Sequence, residues 1–151
     1  MNPKGASGGL YPEMPRPAVG AVVFKDDAVL LVKRGKAPAC GMWAIPGGSV
    51  HLGETLQAAA EREILEETGV VIRAGDPVLV FDNIQHDAQG DIQFHYVIVD
   101  MAAEYIRGRP RAAADAADAR WVREDELKHL TVSHPTLQLL KEKYHFGEKQ
   151  T

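Results

Sequence analysis

A chain of 151 residues, 45% hydrophobic and 25% charged, is sized and composed for one soluble globular domain with its own core. Its net charge of −4 offers no broad basic surface, which excludes duplex nucleic acid as the expected partner and favours small anionic substrates held through a cation. The single Cys40 excludes an internal disulfide and suits a reducing cytoplasm, and no apolar run reaches the roughly 18 residues of a membrane span.

Residues 1–16, with Lys4, Gly5, Gly8, Gly9, Pro12 and Pro15, lack the apolar stretch of a signal peptide and predict a loose arm. A single domain over 17–144 and a polar, fraying tail over 145–151 follow. Residues 18–24 and 28–33 read as two short apolar strands joined by a turn at Lys25, Asp26 and Asp27, hence a hairpin. Residues 34–46 predict a loop that ends in Trp43-Ala44-Ile45-Pro46-Gly47-Gly48. Trp43 has two readings there, core anchor or part of a substrate wall, and core anchoring is the more ordinary. Arg34 and Lys36 either reach phosphate oxygens or remain solvated loop charges.

The most informative stretch is 47–70, a glycine-rich turn, Glu54, and a predicted helix over 56–68. Thr55 is its N-cap, the alanines at 58–60 favour it, and Gly69 stops it. At about 100° per residue, Glu63, Glu66 and Glu67 share one face. Two such charges about 4 Å apart repel by roughly 4 kcal/mol at an effective dielectric near 20, so the cluster must spread, protonate or take up a cation. A solvated acidic helix face usually mixes lysine among its glutamates, and between Glu54 and Val70 there is none. All-oxygen ligands suit Mg²⁺, with Mn²⁺ as the alternative, and argue against zinc. Arg62, four residues before Glu66, is placed to orient its carboxylate, and Gly47 and Gly48 let backbone approach a ligand closely.

Residues 70–83 and 92–102 read as long central strands around a turn at 86–91, with Leu79, Phe81, Phe94 and Tyr96 as core residues or a base-stacking wall. A loop over 105–117 carries Asp115, and Asp118 precedes a short strand at 120–122. Ser133 and Pro135 open a last helix with Leu137, Leu139 and Leu140 on its apolar side. His129, His134 and His145 lack metal-site spacing and are assigned no chemistry. Strands and helices in this order predict an α/β domain, helices flanking a mixed sheet.

Gly48, five residues, Glu54, seven residues, then Arg62-Glu63-Ile64-Leu65-Glu66-Glu67-Thr68-Gly69-Val70 resembles the Nudix hydrolase signature with no position missing. The resemblance covers about 17–141 and implies the Nudix α/β/α sandwich and metal-dependent cleavage of a phosphoric anhydride. It implies the Gly47 carbonyl, Glu63, Glu66 and Glu67 as metal ligands, with Arg62 orienting them and Glu54 supporting the loop or a further ion. Arg34, Trp43 and Gly48 are the substrate-binding candidates. For the general base Glu67, Glu63 and Asp118 stand open, with Asp115 behind them. Arg34-Gly35-Lys36-Ala37-Pro38, the Trp43 segment, Phe94-His95-Tyr96-Val97 and residues 115–127 are similar to the bacterial ADP-ribose pyrophosphatase branch, which implies AMP and ribose 5-phosphate as products. Many members of that branch carry a proline about sixteen residues past the signature, where this chain has Gln85, His86 and Asp87. A nucleoside triphosphate pyrophosphatase is the alternative. A nucleotide-binding regulator is the remote one, since such proteins usually lose signature glutamates. The resemblance also carries a nucleotide as the small-molecule partner and a homodimer as the expected assembly.

Overall fold

A computed structural model describes residues 10–147. Most of the arm over 1–16, and the end of the tail over 145–151, lie outside the described residues. In chain order the elements are β1 (Arg16–Lys25), β2 (Ala28–Arg34), β3 (Trp43–Ala44), β4 (Gly47–Ser49), α1 (Leu56–Thr68), β5 (Val71–His86), β6 (Ile92–Arg107), β7 (Ala116–Arg123), a 3₁₀ helix (Glu124–His129) and α2 (His134–Tyr144).

β1 organises the sheet. It pairs parallel with β6 from Arg16↔Tyr96 to Phe24↔Glu104, meets β2 only at the hairpin end, and takes β4 antiparallel where β2 has diverged. β2 carries β7 along its length and β3 near its end, while β5 closes the outer edge against β6. The result is one mixed seven-stranded sheet with order β3-β2-β1-β6-β5, β4 joining β1 and β7 joining β2.

Alternation along β1 assigns the two helices to opposite faces. Ala21 and Val23 pack with Ile64 of α1, and Val19 packs with Ala59 and Ala60. Val22 and Phe24 face Leu139, Leu140 and Tyr144 of α2. This is the helix, sheet, helix layering anticipated from the order of elements.

The boundaries of α1 follow from its caps. Thr55 Oγ1 accepts a hydrogen bond from the Ala58 N–H at 3.0 Å, and Gly69, at φ 76°, donates its N–H to the Leu65 carbonyl. Thr68, fully buried, donates its hydroxyl to the Ile64 carbonyl and accepts from the Val70 N–H, which turns the chain into β5. Thr55→Ala should lower the unfolding free energy by about 1 kcal/mol, seen as a lower urea midpoint with unchanged slope; an unchanged midpoint would show that the cap does not hold the helix.

The structure departs from the local reading in several places. Trp43–Ala44 is a short strand inside the expected loop and Gly47–Ser49 one inside the expected glycine-rich turn, because β1 and β2 separate and leave unpaired backbone that they satisfy. The described part of the arm is tied down: the Tyr11 N–H donates to the Gln93 carbonyl at 2.8 Å and its hydroxyl to Asp87 Oδ2 at 2.8 Å. The described part of the tail is also anchored, since Phe146 meets Phe24 edge-to-face at 5.2 Å and the Gly147 N–H donates to Glu124. Leu137, expected on the apolar side of α2, is exposed.

Candidate active site

The carboxylates converge where the β4 loop crosses α1, and Arg62 is the hub. Its guanidinium donates to both Glu54 oxygens at 2.6 and 2.8 Å, to Glu63 at 2.8 Å, to Glu66 at 3.1 Å and to the Ser49 carbonyl at 3.0 Å. The bond to Glu66 spans one helical turn, as the spacing predicts; those to Glu54 and Ser49 join the helix to the loop before it. Hydrogen bonds from Arg62, with the His51 N–H, hold the Glu54 carboxyl down to about 2.

Gly48 makes room for this arrangement. A Cβ there would run into the Glu63 carboxyl, and a Cβ on Gly47 would run into the β1 backbone at Val19 and Gly20.

Glu67 has a different environment from its neighbours. It is half-buried, and its Oε1 accepts the Gly47 N–H at 3.3 Å. Burial pushes its carboxyl up to about 7; the Gly47 N–H and the Arg34 charge oppose that, and the Glu63 and Asp115 charges add to it. The carbonyls around it are satisfied by the 108–115 loop, whose Arg111 and Ala113 N–H groups reach Thr68 and Glu67.

Several other candidates are placed differently from the expectation. Trp43 is 6% exposed in the α2-side core, with the Arg120 guanidinium 5.0 Å over its ring. Asp118 pairs in register with Lys33 and accepts the adjacent Ala119 N–H, whereas Asp115 is the acid whose charge reaches Glu67. Asp115 also meets Lys36 at 2.9 Å and accepts the Gly35 N–H through its carbonyl, a link between two loops that residue spacing did not disclose. Arg34 donates to the Pro38 carbonyl at 2.5 Å. Phe94 is core, while Tyr96, Leu79 and Phe81 are half-buried.

Among the described residues, no three His, Cys, Asp or Glu side chains form a group ready to hold a metal ion. Arg62 instead engages Glu54, Glu63 and Glu66. The donor chemistry nevertheless fits a hard divalent cation. The set is all oxygen, Glu67 is a half-buried carboxyl that accepts the Gly47 N–H, and the Glu66 side chain is 53% exposed at the edge of the cluster.

Comparison with known proteins agrees with this geometry. A family profile described as NUDIX domain matches residues 14–142. The chain is 33% identical over 120 residues to an ADP-ribose pyrophosphatase of Methanocaldococcus jannaschii, covering 80% of this chain and 69% of the relative. It is 30% identical over 137 residues to the nucleoside triphosphatase NudI of Escherichia coli, covering 83% and 94%. Among solved structures, a MutT NUDIX hydrolase from Burkholderia pseudomallei superposes with a TM-score of 0.73 at 34% identity, covering 87% of this chain and 99% of that one.

Proposed function

Since the chain belongs to the Nudix hydrolase family, a family of pyrophosphohydrolases, we propose that its substrate is ADP-ribose and that it releases AMP and ribose 5-phosphate. The observation that carries the site assignment is the convergence of the helix on the glycine loop: Glu67 accepts the Gly47 N–H, and Arg62 gathers Glu54, Glu63 and Glu66 beside it. The likeness to an ADP-ribose pyrophosphatase over 80% of the chain supports the substrate.

In the proposed reaction a water oxygen attacks one phosphorus of the diphosphate, the bridging oxygen leaves with the other phosphate, and the water's proton passes to a carboxylate. Glu67 is our first candidate for that last role, since its carboxyl lies beside the glycine loop and accepts the Gly47 N–H. Glu63, Asp115 and Asp118 remain the competing acids. Arg62 is a positioning residue, holding Glu54, Glu63 and Glu66 in one cluster. Arg34, whose charge is felt at Glu67, is our candidate for binding the phosphate oxygens. Glu63, Glu66, Glu67 and the Gly47 carbonyl would hold Mg²⁺ or Mn²⁺, which supplies charge neutralisation on the phosphoryl oxygens and a more acidic water.

Incubation of the protein with ADP-ribose and with a set of nucleoside triphosphates, with Mg²⁺ or with chelator, tests this reading. Metal-dependent AMP and ribose 5-phosphate, formed at a higher kcat/KM than any triphosphate gives, is the expected result. Monophosphate and pyrophosphate from a triphosphate would favour the second reading, a nucleoside triphosphate pyrophosphatase, which the 30% identity to NudI over 94% of that protein supports. Tight nucleotide binding without cleavage of any substrate would revive the regulator. Among the described residues no helix is long and apolar enough to cross a membrane, and a cytoplasmic location is part of the same reading.

A further inference from the structure

Across the sheet from α1, Asp100 of β6 is only 5% exposed, and no described residue hydrogen-bonds its carboxyl. Interiors seldom tolerate this, because a buried carboxyl without a partner loses its hydration and gains nothing in return. A second polar group nearby is in the same condition. The Tyr144 hydroxyl, at the end of α2, is enclosed without a hydrogen-bond partner, and burial followed by the Asp100 charge holds it above its ordinary range.

Register places Asp100 relative to the candidate active site. Gly20 of β1 pairs with Asp100 on one side and with Gly47 on the other. Two strand spacings, about 10 Å, therefore separate Asp100 from the loop residue whose N–H holds Glu67. The path between them is backbone: a Cβ on Gly20 would run into Asp100 Oδ1, so the carboxyl lies directly over that glycine, with the Ile45 side chain beside it. A span of two strands carries a nucleotide from its phosphate past the ribose to its base.

We propose that Asp100 is a specificity-determining residue whose carboxyl accepts a hydrogen bond from an exocyclic amino group of the substrate's nucleobase while the diphosphate lies at Gly47 and Glu67. The inference rests on the nucleotide reading above and deepens it. The Tyr144 hydroxyl is the natural donor to a ring nitrogen or carbonyl on the same base edge, and Ile45 supplies an apolar neighbour for the ring. Burial pushes the Asp100 carboxyl up to about 7.

The test is equilibrium binding of two matched pairs of nucleoside monophosphates to the full chain. AMP and purine riboside monophosphate differ only in the 6-amino group; GMP and IMP differ only in the 2-amino group. In one pair, the amino-bearing member should bind at least about tenfold more tightly, as expected for a hydrogen bond to a charged group. That ratio should fall below about threefold in Asp100→Leu, whose side chain has no acceptor, and persist in weakened form in Asp100→Asn, whose amide oxygen still accepts. Absence of discrimination in the unaltered protein overturns the proposal without any variant having to fold. Discrimination that survives undiminished in folded Asp100→Leu overturns it as well. Failure of the substrate reading is separate: ADP-ribose left intact while the amino ratio depends on Asp100 would discard the hydrolysis assignment and keep the base contact.

Discussion

Glu67→Gln should cut turnover of ADP-ribose by about 10² to 10⁴, the range a general base contributes, while the folded protein becomes more stable at neutral pH. The second effect follows from the sign of the pKa shift. The Glu67 carboxyl is raised from 4.5 to about 7, so between those pH values the native state binds more protons than the unfolded chain. Stability therefore falls as pH rises through that window, by up to about 3 kcal/mol for this one group. Asp100, raised from 3.8 to about 7 by burial, adds a slope of the same sign, so removal of Glu67 flattens the profile without abolishing it. Denaturant titrations of metal-free protein at pH 5 and pH 7.5 read this directly: a Glu67→Gln variant that loses as much stability between the two as the parent would sink the burial argument, and near-parental turnover would sink the base assignment. Glu66→Gln supplies the control. Glu66 is more than half exposed and held by Arg62, and its loss should lower turnover by orders of magnitude.

Arg62→Lys is the second large effect, although it conserves charge. A guanidinium reaches Glu54, Glu63, Glu66 and the Ser49 carbonyl together because its donors fork in a plane; an ammonium on a flexible stem cannot span that set. Turnover should drop about 10- to 100-fold, the usual cost of losing a residue that orients ligands, and half-maximal activity should need more Mg²⁺. The Glu54 carboxyl should move from about 2 back toward the ordinary carboxylate range, measurable by NMR titration of its side-chain carbon. The sign is opposite to that of Glu67: Glu54 stabilises above its unfolded value, and that contribution is lost as pH falls through about 2. Parental activity together with an unmoved Glu54 would show that the hub is incidental.

Local elements were legible where neighbouring residues carry the whole signal. The β1–β2 hairpin, α1 with its Thr55 and Gly69 caps, and the two long strands β5 and β6 follow from alternation, helical spacing and turn residues a few positions apart. Legibility failed wherever a segment answers to distant chain. The short strands β3 and β4 exist because β1 and β2 diverge, and nothing in Trp43-Ala44 or Gly47-Gly48-Ser49 announces a strand. Tyr11 and Phe146 read as arm and tail, and both are held by partners far along the sequence, at Asp87 and Phe24.

The candidate site divides along the same line. The sequence by itself determined that Arg62, Glu63, Glu66 and Glu67 share a helix face behind a glycine-rich loop, because a 3.6-residue period and two caps are properties of adjacent residues. Only the tertiary structure decided what each carboxylate does there. It buried Glu67 under Gly47, spread the other acids onto Arg62, brought Asp115 rather than Asp118 within reach, and left Asp100 without a partner over Gly20. Burial and long-range proximity come from strands paired across some eighty residues, as Gly20 is with Asp100, and charge responds to those distances and not to spacing along the chain.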